Sequence, residues 1–222
     1  MSKVFVSDKA VRPLKEYLTS RFEVVFTKGE GSFVDARIKT HTDLYMCQFG
    51  LGKAAEIFSG GRSVPEATYP GDAVYNAVAT GKYFVHNTRI TDVDLLSRAM
   101  SKSLNVVFVR QGYTRCNCLP VTDDSFITSD EGICKALAEE GAEVLLIENG
   151  HVILPGFPYG FIGGCAGNLL LDGEPALIFN GDLSAHSDYE KIAAFAKDRD
   201  VKLVFFEGYP LEDIGSILFS YR

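Results

Sequence analysis

The sequence predicts an α/β domain built from five related strand–turn–strand–helix–strand units, arranged in a ring that the first and last strands close. Three observations predict it. One pattern of elements recurs along the chain, its spacing is nearly regular, and the last strand-like segment lacks a partner unless it joins the first.

Four copies of the pattern are legible. The first runs KVFVSD, VRPLKEYLTSR, FEVVFTKG; the second KYFVHN, TDVDLLSRAMSK, LNVVFVRQG. The third runs SFITSD, EGICKALAEEG, AEVLLIENG; the fourth ALIFNG, HSDYEKIAAFAKDR, VKLVFFEG. Leu95, Leu96 and Met100 share one helical stripe, as do Ile133, Leu137 and Ala138. Ser187 with Glu190 reads as a capping box, and Thr91 with Asp94 as a weaker one. The closing strands FEVVF, NVVFV, EVLLI and KLVFF are nearly unbroken apolar runs, which predicts cover on both faces. A further strand precedes each helix-bearing unit across a turn, at Thr80-Gly81, Asp123-Asp124 and Asp172-Gly173.

The units recur at roughly 40 to 50 residues, with one double interval. In the middle of that interval stands the strand-like Asp43–Phe49, followed by a short helical stretch from Ala54 to Phe58. This is read as a degenerate fifth unit, with 59–71 as an irregular loop. The C-terminal SILFSYR supplies the missing first strand of the opening unit. Residues 1–222 are therefore expected to form a single domain.

The chain has 222 residues and a net charge of −7. That balance argues against nucleic acid and anionic membranes as partners and suits a small cationic molecule. It leaves a homo-oligomer open. No apolar run approaches a membrane span and no signal peptide is evident, so a cytoplasmic location is expected. The five cysteines are odd in number and lack framework spacing, in keeping with a reducing compartment. No phosphate loop, dinucleotide fingerprint or serine elbow is present, and no cofactor is expected.

In a closed ring the first strands would start near the common axis. Counting back from each second strand places there Asp213 with Ser216, Asp35, Asp72 with Asn76, Arg115 with Cys116, and Cys165 with Asn168. Carboxylates around a thiol suit a guanidinium, whose forked N–H donors pair with Asp while Cys attacks the central carbon. Cys165 lies in the glycine-rich YGFIGGCAGN, and His151 follows Glu148-Asn149-Gly150 as a candidate acid/base. Cys116 and Cys118, two apart on an expected strand, would face one side, but a lone Cys-x-Cys without a second ligand pair predicts no metal.

This repeat architecture resembles the pentein fold of guanidine-modifying enzymes, and segments such as GYTRCNCLPV and YGFIGGCAGN resemble an uncharacterised bacterial pentein-like group. The resemblance implies a pentein-like five-unit ββαβ propeller closed by the N- and C-terminal strands. It implies a Cys-dependent hydrolase or transferase acting on a guanidino or amidine compound, with Cys165 as nucleophile. The superfamily also holds non-catalytic members, so a partner- or ligand-binding protein is the alternative. Its enzymes pair a His with an acid two residues on. His86 and His151 lack that acid; His186-Ser187-Asp188 has the spacing but reads as a helix start.

Overall fold

In the four legible copies of the pattern the strand-like and helix-like runs fold where the sequence puts them, whereas Arg115 and Cys116, expected on a strand, lie in a helical turn. The computed structural model describes residues 2–221. In chain order the elements are β1 (Lys3–Ser7), α1 (Arg12–Thr19), β2 (Glu23–Thr27), β3 (Met46–Phe49), β4 (Glu56–Ser59), β5 (Val78–Ala79), β6 (Tyr83–His86), α2 (Val93–Ser101) and β7 (Asn105–Phe108). There follow α3 (Thr114–Asn117), β8 (Cys118–Pro120), β9 (Ser125–Thr128), α4 (Glu131–Glu139) and β10 (Glu143–Leu146). The last are β11 (Ala166–Leu171), β12 (Glu174–Phe179), α5 (Tyr189–Lys197), β13 (Lys202–Val204) and β14 (Leu218–Ser220).

A local rule repeats. A strand pairs antiparallel with its predecessor, passes through a helix, and pairs parallel with its successor. This holds for β5–β6–β7, β8–β9–β10 and β11–β12–β13. β1 likewise pairs parallel with β2 and antiparallel with β14, with Phe5 opposite Leu218, so the two ends of the described chain meet in one sheet. The hairpin between β11 and β12 turns on Asp172 and Gly173, both with positive φ (54° and 91°), as a tight two-residue turn requires.

A five-unit propeller closed by the terminal strands is nevertheless not what forms. The strands fall into four small separate sheets, ordered β14-β1-β2, β4-β3-β5-β6-β7, β8-β9-β10 and β11-β12-β13, with no closed barrel or propeller among the described residues. The stretch read as a fifth unit carries no α-helix. Gly52–Ala54 makes a single 3₁₀ turn, and Glu56–Ser59 is strand β4, antiparallel to β3. β3 then touches β5 through one pair, Phe49 with Ala79, and is absorbed into its neighbour's sheet.

Two smaller expectations also change. The closing strands lie at sheet edges, so Val25, Val106, Phe108 and Leu146 are exposed despite the apolar runs. The helix caps fall one residue later than expected. Asp92, not Thr91, caps α2 by accepting from the Asp94 and Leu95 amides, and α5 starts after Asp188 with no side-chain cap. No described helix is long and apolar enough to cross a membrane.

His86, at the end of β6, is fully buried. Its Nε2 lies 2.9 Å from the Gly112 carbonyl and its Nδ1 2.7 Å from Thr91 Oγ1. Burial pulls its pKa down to about 4. The unfolded chain therefore takes up a proton near pH 6.5 that the folded chain refuses, so stability contributed by neutral His86 is lost as pH falls from about 6.5 towards 4. Between pH 7 and pH 5 this amounts to about 2 kcal/mol, and His86→Gln is expected to remove that much of the slope when urea midpoints are compared. An unchanged slope would contradict it.

Candidate active site around Cys116

The connections between the sheets, not the strands, build a partly enclosed cavity with a buried polar end. A cavity of about 260 Å³ is lined by Ile38 and His41, by Tyr113 and Cys116, by the loop residues Leu154, Phe157, Pro158, Tyr159 and Phe161, and by Asp213. Its walls are mostly aromatic and aliphatic. The polar groups are gathered where His41, Cys116 and Asp213 meet.

Cys116 sits on α3, one short turn that Asn76 holds in place. The Asn76 Oδ1 accepts from the Arg115 and Cys116 amides at 2.8 and 3.1 Å, and its Nδ2 donates to Cys116 Sγ at 3.3 Å. The thiol in turn donates to Asp43 Oδ2 at 3.1 Å. Ser216 Oγ reaches the same carboxylate oxygen at 2.5 Å, while Asp43 Oδ1 has no hydrogen-bond partner although it is buried. One donor atom each of His41, Asp43 and Cys116 lie within 4.8 Å of one another.

Asp213 completes the group. Its carboxylate accepts from the Phe161 and Gly215 amides, each at 3.0 Å, and its Oδ1 lies 3.8 Å from His41 Nδ1. Close approach here depends on two glycines. A Cβ on Gly164 would collide with the Asp213 carboxylate, and one on Gly215 with the His41 side chain. Ser216 holds φ at +66°, a left-handed conformation costing a non-glycine residue roughly 1 kcal/mol, and so keeps its hydroxyl on Asp43.

Burial sets the electrostatics. It pushes the Asp213 carboxyl up to about 6, raises Asp43, lifts the Cys116 thiol well above its ordinary value, and pulls His41 down to about 4. Asp43 and Asp213 push the thiol further in the same direction. Buried Arg115 spends its guanidinium on the carbonyls of Gly163 (2.8 Å) and Ala166 (3.1 Å) and pairs with no carboxylate. The site thus gathers two carboxyls whose pKa values burial raises and a neutral imidazole, with the Arg115 guanidinium near enough to attract Asp43 and Asp213 but hydrogen-bonded to neither.

Of the residues expected from the sequence, the structure brings together Asn76, Arg115, Cys116, Asp213 and Ser216. Asp72 is buried one side chain away, accepting from Tyr113 Oη at 2.6 Å, with its Oδ1 unpartnered. Asp35 interacts with Asp72 but is paired with Arg37, which stacks on Phe157 4.3 Å from the ring centre. Cys165 is elsewhere: fully buried, it packs among Leu119, Ile162 and Phe179 and donates to the Ile162 carbonyl at 3.1 Å. Asn168 holds the Pro120 carbonyl at 2.7 Å and borders a different pocket. His151 is exposed beside His186, ring centres 5.0 Å apart. Cys118 starts β8 and points into the core with Tyr83 and Phe126, away from Cys116.

His41 and Asp43 were not singled out in the sequence, yet His41-Thr42-Asp43 carries the His-x-acid spacing. It lies just before β3, in the stretch whose helix is missing.

The profile of a family of unknown function (DUF6873) matches residues 51–218. No curated protein and no solved structure matches the chain.

Proposed function

The chain belongs to the DUF6873 family of unknown function, and from that premise we propose that it is a thiol-dependent hydrolase or transferase acting on a small amidine or guanidino compound, with Cys116 as nucleophile. The observation that carries this reading is Cys116 Sγ beside His41 and Asp43, with Asp213 next to His41, at the polar end of an otherwise apolar cavity. Arg115 spends its N–H groups on backbone carbonyls, so an amidinium supplies the hydrogen-bonding cation that these carboxylates do not have, and its N–H groups match their oxygens.

The chemistry balances as follows. Cys116 passes its proton to neutral His41 and attacks the amidinium carbon, forming a C–S bond. The tetrahedral adduct expels the amine, which leaves with the proton from His41. Water, deprotonated by His41, then attacks the carbon of the thioimidate (from an amidine) or thiouronium (from a guanidino compound). The C–S bond breaks and Cys116 recovers the proton; an acceptor amine in place of water makes the reaction a transfer. Asp43 and Asp213 hold the cation throughout, and its charge favours the ionised form of both against the burial that raises their pKa values.

The test uses 2-chloroacetamidine and its neutral analogue 2-chloroacetamide, with the modified cysteine located by mass spectrometry. The amidine is expected to alkylate Cys116 about tenfold faster or more than the amide, a gap of about 1.4 kcal/mol, and Asp213→Asn to narrow that gap. Equal rates, or modification only at Cys134, would defeat the assignment.

One observation favours the non-catalytic alternative. The thiol of the free protein is held protonated as a donor to Asp43. Tight amidine binding without turnover of any compound in the class would assign the cavity to ligand binding.

A further inference from the structure

We propose that His41, Asp43 and Cys116 form a site for one thiophilic divalent transition-metal ion, Zn²⁺ being the best match, which occupies the hollow in competition with an organic cation. The site stands on geometry that does not require catalysis, so it goes beyond the reading above.

The donor set is one imidazole nitrogen, one carboxylate oxygen and one sulfur. That combination suits Zn²⁺ or Co²⁺ and disfavours Mg²⁺ and Ca²⁺, which take oxygen ligands. Tetrahedral zinc with its usual bond lengths holds such donors roughly 3.3–3.6 Å apart. Here Sγ and Asp43 Oδ2 are 3.1 Å apart and all three donors fall within 4.8 Å of one another, within about 1.5 Å of those separations.

Three further observations point to a ligand. Asp43 is 1% exposed, yet its Oδ1 has no partner, an expensive state for a buried carboxylate oxygen. Metallation of His41 through Nε2 would leave Nδ1–H facing Asp213 Oδ1 at 3.8 Å, the carboxylate–histidine pairing that orients metal-bound imidazoles. Asn76 Nδ2 already points a hydrogen bond at Cys116 Sγ, a contact that steadies a thiolate ligand. A dication, a thiolate, one carboxylate and a neutral imidazole sum to zero charge. His41 and Cys116 line the cavity, which would give the ion a path and leave room for a water as fourth ligand. The Cys-x-Cys pair is not the site, because Cys118 turns into the core.

The experiment titrates chelator-treated full-length protein with Co²⁺. The expected result is saturation at one equivalent, with a near-ultraviolet thiolate-to-cobalt charge-transfer band and the visible bands of tetrahedral cobalt, displaced by Zn²⁺. Cys116→Ser is expected to lose the charge-transfer band, His41→Ala and Asp43→Asn to weaken binding about tenfold or more, and Cys134→Ser to change nothing. Circular dichroism checks that each variant is folded. As a measurement on the unmutated chain, Zn²⁺ is expected to slow Cys116 alkylation by 2-chloroacetamide. Absence of the charge-transfer band, or a band retained by Cys116→Ser, overturns the proposal. So does alkylation unaffected by Zn²⁺. Because none of these readouts needs turnover, failure of the metal site and failure of the amidine reading separate cleanly.

Discussion

Asn76→Ala is expected to destabilise the fold by about 3 kcal/mol and to cost Cys116 its selective reactivity towards the amidine reagent. Asn76 is fully buried and uses both ends of its amide on α3. Removing it leaves the Cys116 amide without an acceptor and Sγ without its donor. The Arg115 amide keeps one partner, the Asn76 carbonyl. An orphaned buried donor costs about 1–3 kcal/mol, and the vacated volume adds a cavity term. Urea unfolding measures the first effect and the ratio of chloroacetamidine to chloroacetamide rates the second. A loss under 1 kcal/mol with the ratio unchanged would show that Asn76 does not hold the thiol.

Gly215→Ala carries two penalties at once, and a loss of about 3 kcal/mol or more is expected. Gly215 adopts φ +73°, which costs an L-residue roughly 1–2 kcal/mol. Its new methyl would also meet the backbone and Cβ of His41, which are not free to retreat. Displacing His41 separates it from Asp213 and from Cys116, so amidine-selective alkylation is expected to fall along with stability. Thermal unfolding and the alkylation ratio read the two effects. A variant as stable as the parent would mean that this segment yields more readily than its packing implies.

What the sequence revealed was local. Strand β6, helix α2 and strand β7 follow from the apolar period of Tyr83 to Phe108, and the Asp172-Gly173 hairpin follows from residues that tolerate positive φ. What it concealed was how sheets join. FEVVF and KLVFF look doubly covered, yet an apolar edge strand and a central one read alike in one dimension. Ala54–Phe58 suggested a helix because its residues tolerate one; pairing with β3 overrode that weak preference. At the site, counting back from strands found Asn76, Cys116 and Asp213, because those segments do enter the hollow. It placed Cys165 there too. The chain runs through Gly163 and Gly164 and delivers that thiol to the core behind, where it donates to the Ile162 carbonyl and does not line the cavity. His41-Thr42-Asp43 was legible but sat where no regular element drew attention to it.

The bond from Ser216 to Asp43 joins residues 173 positions apart. Each strand–helix–strand segment can be satisfied by neighbours close in sequence, whereas the polar hollow closes only when both flanks of the chain have been gathered. The entropy of that long loop must be lost before any of its contacts repays it. The surroundings of Cys116 therefore exist only where distant stretches of chain, around Asp43 and Ser216, have come together on it.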